Sequence, residues 1–128
     1  MNAVTQARSL YSQARSLKHP RDLEYELFAR VTARLDRAIA MDGAAAMPER
    51  FAALDENRRL WTVLAVDLAQ PGNALPTELR ARLMYLADYT LRTGEQILAG
   101  APEAMELLSS LVEINTIVMQ GLRGEVAR

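Results

Sequence analysis

The side chains with the greatest chemical capability in this chain are few and scattered. The sole histidine, His19, stands beside Pro20, with Asp22, Glu24 and Glu26 close behind it. An imidazole among carboxylates is the material of acid–base catalysis, which needs groups that converge with tuned proton affinities. The three acids are better explained by a helix start, where negative charge meets the positive end of the helix dipole. No HExxH pair of metal ligands, glycine-rich phosphate loop or calcium loop is present. Nor is there any cysteine, which excludes disulfides, thiolate nucleophiles and cysteine metal sites and is compatible with a reducing cytoplasm. The expectation is a protein that is not an enzyme and uses no cofactor or metal.

Recognition chemistry is better represented. Asn57 lies three residues after Leu54 and four before Trp61, and Asn115 lies four after Leu111 and four before Met119, so both amides enter apolar helix faces. A buried amide is costly unless hydrogen-bonded. Either each asparagine links neighbouring helices inside a bundle, or it faces a groove and bonds a partner's backbone. Tyr85 and Tyr89 stand one helical turn apart with Arg82 and Arg92 on a similar side, which makes a contact surface or an amphipathic rim. Met41, Met47, Met84, Met105 and Met119 suit an adaptable surface, although core filling is the commoner role of methionine. The arginines of TARLDR and NRR are offset by Asp36, Asp55 and Glu56, so nucleic-acid binding is not expected of them.

Charge is unevenly spread although the net value is only −1. Arg8, Arg15, Lys18 and Arg21 precede the first acid, Asp22, whereas the charges from Thr93 to Leu122 are Glu95, Glu103, Glu106 and Glu113 without any lysine or arginine. Such asymmetry can pair two ends of one molecule or guide a partner.

The elements that must position these groups are helices. A chain of 128 residues is the size of one domain and can bury roughly 65 to 70% of its unfolded surface. Half of its residues are hydrophobic but only 5% aromatic, as expected of helices packed through leucine and alanine. Residues 1–18 carry a three-and-four spacing of Val4, Ala7, Leu10, Tyr11, Ala14 and Leu17, which predicts an amphipathic helix that either docks or swings free. A second helix is expected over about 21–41, opened by Pro20, with Leu23, Leu27, Val31, Leu35 and Ile39 as its stripe. A third, permitted by Gly43 and Pro48, runs to Leu68 and is apolar over so wide an arc that it should be the most buried, with Trp61 as a core anchor.

The sequence LAQPGNALPTELRARL, Leu68 to Leu83, then stops one helix and starts another. Proline at Pro71 lacks the amide donor, glycine at Gly72 accepts positive φ, and Pro76 can open a helix. The fourth helix carries Leu79, Leu83, Leu86, Ala87 and Leu91, and Gly94 falls inside it or just after it. Gly100 and Pro102 repeat the punctuation before a fifth helix with the stripe Leu107, Leu111, Ile114, Val118 and Leu122, frayed at Gly121 and Gly124. The expected architecture is an all-α single domain over residues 1–128, a compact bundle of about five helices with short Pro/Gly connections. No apolar window approaches the roughly 20 residues of a spanning helix, and the N-terminus lacks a secretory apolar run, so a cytoplasmic protein is expected.

Four stretches taken together carry a resemblance: PRDLEYELF (Pro20 to Phe28), LDENRRLW (Leu54 to Trp61), DLAQPGNALPTELRARL (Asp67 to Leu83) and EINTIVMQGL (Glu113 to Leu122). In this order they resemble the FlaF family, flagellar biosynthesis regulators of alphaproteobacteria, with NRRLW and PGNALPTELR the most specific pieces. His19 and Thr116 depart from the family's pattern. The resemblance implies a small helical cytoplasmic protein that acts on flagellin, as an export chaperone or as a positive regulator of its production alongside the regulator FlbT. An alternative of another class is translational regulation of flagellin with FlbT or on the transcript, for which the basic stretch Arg8 to Arg21 is the feature to test. The resemblance also implies that flagellin's terminal helices are disordered before assembly, and such segments fold against complementary apolar grooves. From the matched motifs and the spacing, Asn57, Arg58, Tyr85, Tyr89, Asn115 and Met119 are the candidate partner-binding residues. Trp61, Pro71, Gly72, Asn73, Leu75 and Pro76 are the structural ones, with Asn73 and Leu75 setting the angle between two helices.

Overall fold

The computed structural model describes the backbone of residues 20–127 and the side chains of residues 25–121. Within them the chain forms four helices and no strand: α1 (Pro20–Ala40), α2 (Ala46–Leu68), α3 (Thr77–Leu98) and α4 (Ala104–Ala127). These are four of the five helices expected; the amphipathic helix expected over residues 1–18, the basic stretch Arg8 to Arg21 and His19 lie outside the described side chains. No described helix is long and apolar enough to cross a membrane.

Local chemistry accounts for most of the boundaries. Gly43, with φ of 86°, turns the chain out of α1, and Gly100, with φ of 87°, does the same after α3. At Gly100 the closure is a Schellman arrangement: Gly100 N donates to Ile97 O and Ala101 N to Gln96 O, satisfying carbonyls that the helix end would leave open. Three expectations are corrected. Helix α2 begins at Ala46, two residues before Pro48, because proline needs no amide partner anywhere in a first turn. Gly72 does not adopt positive φ; the turn closes instead through Asn73 N to Gln70 O. Finally, α4 continues past its expected frayed end at Gly121 to Ala127, while of the two places open to Gly94 the chain takes the one inside α3.

The PGN turn is held by Asn73. Its Nδ2 donates to Asp67 O at 3.2 Å, tying back to the end of α2, while its Oδ1 accepts from Leu75 N at 3.0 Å. Leu75 is thereby turned inward to pack against the core, and Pro76 is the N-cap residue of α3. Pro71 and Gly72 are exposed.

Each helix packs against the next in sequence and α4 closes on α1, so α2 and α4 face each other across the bundle axis. The α1–α2 seam is tied by charge. Arg34 donates to Glu49 and to Glu56 at 2.9 Å each, and Arg50 reaches back to the carbonyls of Ala38, Ile39 and Met41, capping the end of α1 from its neighbour. The α3–α4 seam is the least closely packed of the four.

The core has two apolar levels. One gathers Phe28, Val31, Leu60, Trp61, Leu64, Leu68 and Ala87, with the Phe28 and Trp61 rings edge to face at 5.5 Å. The other gathers Leu35, Ala38, Ala53, Leu54, Ile97, Leu108 and Leu111. Between them along every helix stands a buried polar residue: Thr32 on α1, Asn57 on α2, Thr90 and Thr93 on α3, and Asn115 on α4. The bundle is thus divided by a polar layer to which all four helices contribute.

A candidate partner-binding groove

The groove grows out of the register of α3 on α4. Spacing of four residues puts Tyr85 and Tyr89 on one edge of α3, and the same rule places Ser110, Ile114 and Ile117 along the facing edge of α4. Where these two loosely packed helices diverge, Tyr85, Leu86, Tyr89, Ser110, Glu113, Ile114 and Ile117 line a cleft of about 260 Å³. Its floor, Leu86 and Ile114, is half-buried and continuous with the core. Its walls are open: Tyr85 is 69% exposed and Ile117 56%. Among the described residues the one polar contact across it joins the Tyr89 hydroxyl and Ser110 Oγ at 3.5 Å.

Small-molecule sites enclose about 300 to 1,000 Å³ and bury most of the ligand. This cleft is smaller and open along its length. It fits side chains projecting from a helix laid in the groove, with two rigid aromatic rings offering large contact area at low entropic cost.

The groove's two edges differ electrostatically. On α3, Arg82 donates to Glu78 at 3.0 Å and Arg92 to Asp88 at 2.9 Å, so both cations are matched within their own helix. The hydrogen bonds to Asp88 hold the Arg92 guanidinium more firmly protonated than usual. On α4, Glu106 and Glu113 lie one turn before and one turn after Ser110 on the stripe that continues to Ile117, both exposed and without an ion pair among the described residues.

Of the candidate contacts, only Tyr85 and Tyr89 lie in this groove. Asn57 and Asn115 are 1% and 0% exposed and bond each other and the core tryptophan. Trp61 Nε1 donates to Asn115 Oδ1 at 2.9 Å, and Asn115 Nδ2 donates to Asn57 Oδ1 at 2.8 Å. This chain spans the diagonal from α2 to α4, so neither amide is available to a partner in the closed bundle; their apolar surroundings hold them inside. Met119 packs half-buried against the core beneath Trp61's cluster, away from the cleft. Arg58 is exposed on α2, which does not border the groove. Core filling fails for three methionines: Met47, Met84 and Met105 are 53%, 38% and 39% exposed.

Sequence reasoning missed the α4 wall. Ile117 carried the available signal, since it is a large β-branched residue one position off the Ile114 and Val118 stripe and therefore points away from the core. Nothing in the sequence indicates that Ser110 faces Tyr89.

The comparisons with known proteins bear on the whole chain. Residues 7–122 match the family described as flagellar protein FlaF. Neither a curated protein nor a solved structure matches the chain.

Proposed function

The chain belongs to the FlaF family of flagellar proteins, and from that premise we propose that it is a non-enzymatic cytoplasmic protein that binds flagellin, as an export chaperone or a positive regulator of flagellin production. The observation that supports this reading is the open apolar groove between α3 and α4, whose exposed Tyr85 and Ile117 have no covering element among the described residues. An amphipathic flagellin segment laid there would exchange its exposed stripe for Tyr85, Leu86, Tyr89, Ile114 and Ile117. Such a complex keeps the segment from pairing with other subunits while the remainder of the subunit stays free.

The test is titration of purified flagellin into the full chain, followed by fluorescence anisotropy, with Tyr85→Asp as the matched variant. The expected outcome is saturable binding that Tyr85→Asp weakens by at least about tenfold, the loss of one aromatic anchor at an interface centre being worth roughly 1.4 kcal/mol or more. Absence of binding by the well-folded protein would sink the reading.

A further inference from the structure

We infer that the occupant of the α3–α4 groove is a helix whose apolar stripe is flanked by lysine or arginine, and that Glu106 and Glu113 select it. The inference deepens the partner-binding reading of this groove and rests on it.

The floor and the rim ask for different things. Leu86, Ile114 and Ile117 with the two tyrosine rings call for an apolar stripe at helical spacing. The rim decides what flanks that stripe. Arg82 and Arg92 on the α3 edge are already bonded to Glu78 and Asp88, so the α3 edge presents matched charge. Glu106 and Glu113 on the α4 edge have no ion pair among the described residues, and no lysine or arginine lies between Thr93 and Leu122 to neutralise them. A helix in the groove with cations beside its stripe satisfies both; one with carboxylates there places like charges side by side as water is excluded.

The same facts weigh against three other kinds of occupant. Nucleic acid and anionic lipid surfaces are repelled by an acidic rim. A second copy brings no free cation on its own groove face to meet Glu113, since Arg82 and Arg92 are committed. A drug-sized molecule is not enclosed by a cleft of about 260 Å³.

The experiment uses the full chain and synthetic amphipathic peptides of equal length that share one leucine stripe and differ only in flanks of lysine, glutamine or glutamate. Binding is read by peptide anisotropy, and the fold of every variant by the fluorescence of Trp61, the sole tryptophan. The lysine-flanked peptide should bind best at low salt. Each exposed ion pair contributes up to about a fivefold gain, so two should separate it from the glutamine peptide by roughly three- to twentyfold. That advantage should shrink towards one at about 0.5 M salt, where screening is nearly complete. Joint replacement E106K and E113K should reverse the order of the lysine and glutamate peptides, while I117D should weaken all three.

Equal binding of the three flanks, or an order unmoved by the charge reversal, would overturn the inference. So would a dimer of the free protein that I117D dissolves, because the groove would then belong to a second copy. If the lysine peptide behaves as expected and flagellin does not bind, the flagellin reading fails and the groove's chemistry stands. If flagellin binds and the charge reversal leaves its affinity unchanged, flagellin is kept and this inference is lost.

Discussion

At the scale of single residues, the most consequential interaction is the chain Trp61–Asn115–Asn57. Asn115 is its centre, accepting from the indole and donating to the second amide. Asn57 is only half satisfied: its Nδ2 has no protein partner, and neither do Thr32 Oγ1 and Thr90 Oγ1 in the same layer. An order of costs follows. Asn115→Ala strands the indole N–H and the Asn57 oxygen, each orphan costing about 1 to 3 kcal/mol. Asn57→Ala strands only the Asn115 amide and should destabilise less. Trp61→Ala removes the largest fully buried side chain and should cost about 3 to 5 kcal/mol. Urea unfolding, followed by Trp61 fluorescence for the two asparagine variants and by circular dichroism for the third, gives the ranking; equal costs for the asparagines would contradict the hydrogen-bond chain. The sequence already placed both amides on apolar faces, because helical period shows which side of its own helix a residue occupies. It could not show that residues 57 and 115 meet, since period carries no information about which neighbour faces that side.

At the scale of elements, the α1–α2 seam depends on two arginines that ordinary stripe reading leaves on the outside. Arg34 lies off the apolar stripe of α1, yet it is bonded to two carboxylates of α2. Its hydrogen bonds hold the Glu49 carboxyl below the usual carboxylate range. A depressed folded-state pKa means that the ionised form is favoured by folding, so the contribution is present above the unfolded value of about 4.5 and is lost as pH falls through the lower folded value. Arg34→Gln should therefore narrow its stability gap to the wild type as acid is added, and thermal melts across that range would show it. A gap independent of pH would mean that Arg34 acts by packing alone. Both carboxylates are well solvated, so the effect is small and fades with salt. Helix boundaries were legible from proline and glycine punctuation because those residues act locally. Arg50, which caps α1 from α2, was not: its partners are carbonyls brought near only by the antiparallel turn.

At the scale of the whole molecule, the four seams are unequal, and the inequality has a functional direction. Two seams meet in α2, one held by the arginines and the other by apolar packing in which Leu54 lies beside Gly94, where a β-carbon would meet Leu54 Cδ1 at an ordinary contact distance of 3.7 Å. The α1–α4 seam closes the ring. Among the described residues no salt bridge crosses between α3 and α4, and the polar contact there is the long Tyr89–Ser110 approach. Local opening occurs where buried apolar contacts and cross-ties are fewest. Native-state hydrogen exchange should therefore find the α3–α4 seam opening at lower free energy than the α1–α2 seam, with the amides around Tyr85 to Tyr89 and Ser110 to Ile117 exchanging through subglobal opening. A bound helix should slow these same amides, and also those that exchange only through global unfolding, because a ligand stabilises against every opening that releases it; amides that exchange by local fluctuations leaving the groove intact should be unchanged. Uniform exchange through global unfolding alone, with or without partner, would show that the bundle moves as one cooperative unit and that the looser seam is a shape rather than a hinge.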